Sequence, residues 1–216
     1  MESFLDSMRY AHLAIYAIVF IVSLIKFPLY KNSALKVLPI ILFFTLLTES
    51  LGWYIVNEYG PPNAIVYNIY YFFYFSLFYY VFLKTIDDKK FKLYIKCGIA
   101  VFWLFYASDW IFTDFIGSGF LSSYMAGAGI LVFCIILYYI NILQSSRVLV
   151  IKNDLLFWVS VGLFLFYIGY IPIKIIRSWF YKPDSFFEIL LVIQFSLIII
   201  MYLFFLTGFL WMKRRS

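Results

Sequence analysis

The chain has 216 residues, of which 65% are apolar, 25% are aromatic and 13% are charged, and its formal net charge is +6. Soluble domains carry about 25% charged residues, so this composition excludes a water-soluble globular fold. The basic excess does not indicate nucleic-acid binding, because the basic residues lie between apolar stretches and near the last residues, where membrane proteins place them.

Seven apolar stretches, each about long enough to cross a bilayer, follow one another along the chain. About 20 apolar residues in a helix cover the hydrocarbon core, and backbone in lipid must satisfy its own hydrogen bonds. The sequence therefore predicts an all-α, polytopic seven-transmembrane-helix bundle that forms a single domain. We place its spans at about residues 10–30, 37–57, 64–84, 93–112, 123–144, 155–179 and 187–211.

Charged and turn-forming residues separate these spans. The segment Gly60-Pro61-Pro62-Asn63 is a strong turn signal after the second span. Before the seventh span, Asp184 or Ser185 is suited to cap the helix N-terminus.

Basic residues are unevenly distributed between the two sets of span ends. Four lie at one set of ends, namely Arg9, Lys174, Arg177 and Lys182. Thirteen lie at the other, namely Lys26, Lys31, Lys36, Lys84, Lys89, Lys90, Lys92, Lys96, Arg147, Lys152, Lys213, Arg214 and Arg215. Because short basic loops stay in the cytoplasm, we expect the N-terminus outside and the C-terminus in the cytoplasm, in the plasma (bacterial inner) membrane.

Polar side chains within the spans are few, and each is costly enough in lipid to be a functional hypothesis. With the expected orientation they lie in the outer half of the membrane, above an inner half rich in Ile, Leu, Phe and Val. This distribution predicts an outward-facing pocket for a small ligand over a sealed floor. The candidate ligand-binding residues are Glu49, Trp53, Asn68, Asp109, Lys174 and Gln194.

Each of these candidates also has a structural interpretation. Glu49 either serves a ligand or a proton, or is a structural carboxylate that pairs with Lys174 or Arg177 or stays uncharged when desolvated. Asn68 is suited to bridge helices through hydrogen bonds. Asp109 and the two basic residues lie near the interface, where long basic chains reach water.

Two small-residue features concern movement and packing. Pro172 frees a backbone carbonyl in the sixth helix, and with Gly169 it forms a candidate hinge; a static kink is the alternative. The segment Ala126-Gly127-Ala128-Gly129 in the fifth span predicts close approach of another helix.

Recognised catalytic and metal-binding patterns are missing from the sequence. The one histidine, His12, is expected near the outer surface, and Cys97 and Cys134 fall within spans without metal-ligand spacing. There is no nucleophile–base set and no phosphate-binding glycine loop. We therefore predict no metal site, no cofactor and no catalytic residue, and an intramembrane enzyme acting on lipid is the least favoured function.

Three segments resemble small, mostly uncharacterised seven-helix membrane proteins of bacteria, which are similar to the membrane units of bacterial sensor proteins: TESLGWYI at 48–55, YNIYYFFYFSLFYY at 67–80 and FWVSVGLFLFYIGYIP at 157–172. The resemblance rests on the hydrophobic pattern together with Glu49, Asn68 and Trp158. Since no kinase or output domain is attached, it implies a stand-alone sensor or an accessory subunit.

These observations favour a sensor or receptor-like module. A small ligand from outside would enter the outer pocket, and movement of the helix that carries Pro172 would be read by a cytoplasmic protein docked on residues 84–96 or on the tail. The alternative is a small transporter or channel subunit in which Glu49 is a proton- or cation-linked carboxylate. Membrane lipids are the remaining expected partners, and nucleic acid is not one.

Overall fold

The computed structural model describes residues 2–145, 151–180 and 185–212, with the backbone alone for residues 2–4 and 6. All regular secondary structure in these ranges is helical. The long helices are α1 (Glu2–Tyr30), α2 (Leu38–Tyr59), α3 (Ala64–Thr85), α4 (Lys89–Phe112), α5 (Leu121–Leu143), α6 (Leu155–Trp179) and α7 (Ser185–Trp211), and a short 3₁₀ turn (Ala34–Val37) precedes α2.

Each of the seven long helices is long and apolar enough to cross a membrane. Many large apolar side chains on them are exposed, including Leu104, Ile111 and Ile25. In water such surface would be unfavourable, whereas lipid chains accommodate it at no cost. The structure therefore confirms the predicted all-α class and the seven helices able to span a membrane, with apolar surface suited to lipid contact.

Helix boundaries depart from the predicted spans where polar residues extend or cap a helix. The first helix begins at Glu2 instead of near residue 10. The fourth begins at Lys89 instead of 93, because Asp88 Oδ1 accepts hydrogen bonds from the N–H groups of Lys90 and Phe91. Of the two predicted caps for the seventh helix, Ser185 is the first residue of α7 and residue 184 lies outside the described ranges.

The chain forms two compact units. Unit 1, Met1–Tyr30 and Val150–Ser216, contains α1, α6 and α7, and unit 2, Lys31–Leu149, contains the 3₁₀ turn and α2–α5. In unit 1, α7 packs along both α6 and α1. In unit 2, α3 is the central element and contacts α2, α4, α5 and the 3₁₀ turn.

Glycines bring α6 and α7 into close contact in unit 1. A Cβ atom at Gly162 would lie 2.7 Å from the backbone oxygen of Met201, and one at Gly208 would lie 2.8 Å from Cβ of Trp158. Side chains at these positions would hold the two backbones apart, so the glycines permit the close packing on which membrane helices depend.

The candidate hinge residues lie on this packed helix. The α6 helix is continuous through Pro172. A Cβ atom at Gly169 would lie 2.8 Å from Cδ1 of Leu197, so this glycine also faces α7. The hinge stays a prediction, and the structure gives Gly169 a packing role as well.

Aromatic rings fill the contact between α1 and α7. The His12 ring stacks on Phe195 with centroids 4.9 Å apart and meets the edge of Tyr16 at 5.4 Å. Its Nδ1 lies 3.3 Å from the Met8 carbonyl oxygen, and only 4% of the residue is exposed. The ring of His12 is therefore buried between α1 and α7, and its expected position near the outer surface stays a prediction.

The core of unit 2 is built on the aromatic side chains of α3. Phe75, Phe78 and Tyr79 are fully buried. A Cβ atom at Gly127 of α5 would lie 2.5 Å from Cδ2 of Phe75, and the Tyr79 hydroxyl donates to the Gly127 carbonyl at 2.8 Å. This confirms the predicted close helix approach in the Ala126–Gly129 segment.

Candidate functional site

The strongest candidate site is a polar strip between α2 and α3 in unit 2. Thr45, Glu49 and Gly52 recur at intervals of four and three residues, so they share one face of α2. Hydrogen bonds connect this face to the side chains of Asn63 and two tyrosines of α3. We call these residues, with Tyr71, the α2–α3 strip; its members are Thr45, Glu49, Gly52, Asn63, Tyr67, Tyr70 and Tyr71.

A tyrosine hydroxyl holds the carboxylate of Glu49. Tyr67 Oη donates to Glu49 Oε2 at 3.1 Å. The phenol reaches this position because Gly52 has no side chain: a Cβ atom there would lie 2.9 Å from Tyr67 Oη. Asn63 Nδ2 donates to the Gly52 carbonyl at 3.1 Å and fastens the α2–α3 turn beside the same glycine. The turn and the glycine together aim the phenol at the carboxylate.

One helical turn before the carboxylate, the strip contains a second polar contact. The Thr45 hydroxyl donates to the Ile41 carbonyl at 2.9 Å, and its oxygen lies 2.8 Å from Tyr70 Oη. Because threonine has a single hydroxyl proton, Tyr70 is the donor in the second bond. The Tyr71 ring lies 6.1 Å from that of Tyr70 and 6.4 Å from that of Tyr67. Phenol rings therefore line the α3 side of the strip.

The Glu49 carboxylate retains unused hydrogen-bonding capacity. Its residue is half-buried, and Tyr67 is its hydrogen-bond partner among the described residues. Within those ranges, Oε1 accepts no hydrogen bond. A carboxylate in a membrane span is costly unless its oxygens meet a donor, so this oxygen has the capacity to accept a further hydrogen bond. Trp53, another predicted ligand residue, follows the strip on α2 with its side chain 39% exposed.

Asn68 fastens a loop in the structure. Its Nδ2 donates to the carbonyl oxygens of Phe115 at 3.0 Å and Ser118 at 2.9 Å, and its Oδ1 accepts from the N–H of Phe120 at 2.9 Å. The residue is fully buried. These bonds attach the α4–α5 loop to α3, which is a hydrogen-bonding role of the predicted structural kind.

Asp109 anchors the start of α5, which follows the same loop. Its Oδ2 accepts from the backbone N–H of Ser123 at 2.7 Å and from its hydroxyl at 2.6 Å. The carboxylate is 7% exposed and caps the first turn of α5 from the last turn of α4. The ligand role of Asp109 and Asn68 stays a prediction. In the structure their side chains make hydrogen bonds to the start of α5 and to the α4–α5 loop, respectively.

Lys174 and Gln194, the remaining predicted ligand residues, belong to unit 1. Arg177 Nη1 donates to Gln194 Oε1 and joins α6 to α7. Lys174 is half-buried on α6, and its carbonyl accepts from the Ser178 hydroxyl at 2.8 Å. Sequence reasoning named each member of the Arg177–Gln194 pair, but the pairing itself depends on how α6 and α7 align.

Neither a metal-binding cluster nor similarity to a known protein gives further information about this site. Within the ranges that the structure describes, no three His, Cys, Asp or Glu residues are grouped so that they would hold a metal ion. No protein-family model, curated protein or solved structure matches the chain. The geometry of the α2–α3 strip is therefore the basis for a functional proposal.

Proposed function

We propose that this chain is an integral membrane sensor or receptor-like module, which binds a small ligand at the α2–α3 strip and signals through a separate cytoplasmic partner. The observation that carries the proposal is the half-buried carboxylate of Glu49 on a membrane-spanning helix, bonded through one oxygen to Tyr67. An ionisable residue in a membrane span marks a functional site by default.

The distribution of basic residues supports access from outside. Thirteen basic residues against four favour an N-terminus outside and a C-terminus in the cytoplasm of a plasma membrane. In this orientation α2 ends on the outer side at Tyr59. Glu49 precedes that end by about 15 Å of helix. However, Asn63 in the α2–α3 turn donates a hydrogen bond to the Gly52 carbonyl. The turn therefore folds back along α2, and α3 begins near the level of Gly52. The carboxylate therefore lies about one helical turn below the start of α3.

The α3 helix offers a route from the strip to the cytoplasmic side. Tyr67 lies in its first turn, and Lys84 lies in its last. Lys84, Lys89 and Lys90 are exposed around the α3–α4 connection and offer a partner a basic surface. A ligand that binds Glu49 beside Tyr67 would shift one end of a helix whose other end adjoins this surface. The predicted movement at Pro172 concerns α6 in unit 1 and stays a separate prediction.

Ligand-dependent thermal stability of the purified full-length chain in detergent tests this function. Metabolites, lipids and ions are screened against wild type, Glu49→Gln, which keeps an acceptor for Tyr67 but removes the charge, and Glu58→Gln, which neutralises an exposed carboxylate on the same helix. A ligand at 100 times its Kd stabilises by about 2.7 kcal/mol. We expect a ligand whose effect is lost in Glu49→Gln and kept in Glu58→Gln. A screen in which every stabilising ligand acts equally on Glu49→Gln contradicts the proposal.

A transporter or channel subunit is the second candidate, because Glu49 lies near the middle of the Leu38–Tyr59 helix. Flux of the identified ligand into liposomes that contain the single chain separates the two functions. The sensor proposal predicts binding without flux. Flux that disappears in Glu49→Gln would instead assign a transport role.

A further inference from the structure

We propose that the ligand of the α2–α3 strip is a protonated organic amine, held by the carboxylate of Glu49 against the tyrosine rings of α3. This inference rests on the proposed function and names the chemical class of its ligand. Three features of the strip support the assignment: the free acceptor capacity of the carboxylate, the aromatic lining, and the small number of oxygen atoms.

The carboxylate requires a ligand that brings a donor and a positive charge. An ionised carboxylate only accepts hydrogen bonds, and Glu49 uses Oε2 for the Tyr67 hydroxyl. A ligand that donates to Oε1 completes the set, and a charged donor makes the stronger bond. In a membrane-spanning segment a positive ligand also removes the cost of an isolated charge, which a neutral donor does not.

The tyrosine rings suit the organic part of such a cation. The rings of Tyr70 and Tyr71 have centroids 6.1 Å apart, and the rings of Tyr67 and Tyr71 have centroids 6.4 Å apart. Two of their hydroxyls are engaged as donors, that of Tyr67 with Glu49 and that of Tyr70 with Thr45. All three rings are half-buried, and that of Tyr71 also packs on Tyr124 with centroids 5.0 Å apart. Part of each ring surface therefore stays uncovered, and aromatic faces attract ammonium groups within about 6 Å.

An inorganic cation fits the same residues less well. Ions such as Ca²⁺ take about 6–8 oxygen ligands. In the strip, the Thr45 and Tyr70 hydroxyls are hydrogen-bonded to each other, and the Gly52 carbonyl accepts a hydrogen bond from Asn63. That leaves the Glu49 carboxylate and the Tyr67 and Tyr71 hydroxyls, which is too small a set for a dehydrated metal ion but sufficient for one ammonium group.

Matched probes on the full-length protein in detergent test the amine class. The probes are n-hexylamine hydrochloride, its neutral counterpart n-hexanol, and potassium chloride, each titrated while the thermal stability of the protein is followed. We expect saturable stabilisation by hexylamine alone. In Glu49→Gln the Kd should rise roughly 10- to 100-fold, which corresponds to the loss of one charged hydrogen bond, and in Glu58→Gln it should not change. Removing a ring with Tyr71→Leu should raise the Kd roughly threefold or more.

The outcomes separate this inference from the proposed function. Equal effects of hexylamine and hexanol on the wild type, or a hexylamine Kd that is the same in Glu49→Gln, overturn the amine class. If a neutral or inorganic ligand from the wider screen then shows dependence on Glu49, the amine class alone fails. If no ligand of any class depends on Glu49, both proposals fail.

Discussion

Substitution of Gly127 by alanine tests the contact between α3 and α5 that forms the core of unit 2. The added Cβ atom would lie 2.5 Å from Cδ2 and 2.7 Å from Cε2 of Phe75. Carbon atoms pack at about 3.5–4.0 Å, so the ring or the helix must move by about 1 Å. Phe75 is fully buried, and the rings of Phe102 and Tyr124 lie 5.6 and 5.8 Å from its own. Neither neighbour leaves it room to move without cost.

The expected loss of stability in Gly127→Ala is the balance of two opposed effects. Overpacking a core costs about 1–3 kcal/mol, and strain on the Tyr79 bond to the Gly127 carbonyl adds to it. Replacing glycine by alanine within a helix gains about 1 kcal/mol. Gly129 is a matched control on the same helix, because a Cβ atom there meets nothing within 4 Å. We expect Gly127→Ala to be less stable than Gly129→Ala by about 1–3 kcal/mol, since both receive the same helical gain.

Unfolding by SDS in mixed micelles, followed by the fluorescence of the six tryptophans, measures this difference. A second substitution, Phe75→Leu, should reduce the loss caused by Gly127→Ala, because the smaller side chain relieves the overlap. Equal stability of Gly127→Ala and Gly129→Ala would refute the close α3–α5 contact and the core built on it.

The same unfolding assay checks three further predictions. Asn68→Ala leaves three backbone groups of the α4–α5 loop without their side-chain partner and should lower the stability by about 2–5 kcal/mol. Hydrogen exchange at residues 115–120 should become faster, and unchanged exchange would contradict the role of Asn68 in holding this loop. Asp109→Ala removes the cap of α5 and should cost about 0.5–2 kcal/mol. Its effect should not add fully to that of Asn68→Ala, because the loop that Asn68 binds leads directly into the turn of α5 that Asp109 caps. Gly162→Ala should destabilise more than Gly169→Ala, since the first meets the Met201 backbone and the second meets a flexible side-chain end; the reverse order would contradict the α6–α7 packing.

The helices could be predicted from the sequence because lipid leaves the backbone few alternatives. The number of spans follows from apolar length alone, and the seven helices confirm it. Helix starts were harder to predict, since they depend on local caps: α4 begins at the residue after Asp88, before the apolar residues of its span. The burial of His12 was also hard to predict from the sequence, because it depends on how α7 packs against α1.

The candidate site could be predicted only in part. The cost of a carboxylate in lipid singles out Glu49, but its partner Tyr67 follows from the register of α2 against α3, which apolar periodicity does not determine. The spacing of Thr45, Glu49 and Gly52 is a signal that sequence reasoning passed over. For Asn68, the missing information is tertiary, since its bonds go to a loop that follows the next helix.

The reactivity of a thiol placed at Glu49 is the most direct measure of whether the ligand site faces outward. The exposed native thiol is removed with Cys97→Ser, and the buried Cys134 is kept. Glu49→Cys is then treated in intact cells with a membrane-impermeant cationic methanethiosulfonate. The control is Leu47→Cys, whose position is 39% exposed and lies two residues away, on the opposite side of α2.

An outward-facing site predicts that Glu49→Cys reacts from outside and that Leu47→Cys, in contact with lipid, stays unmodified. Glu58→Cys, near the end of α2 that we propose lies outside, should react fastest and is the positive control for the reagent. If Glu49→Cys stays unmodified while Glu58→Cys reacts, or reacts no faster than Leu47→Cys, the result would contradict the outward-facing site.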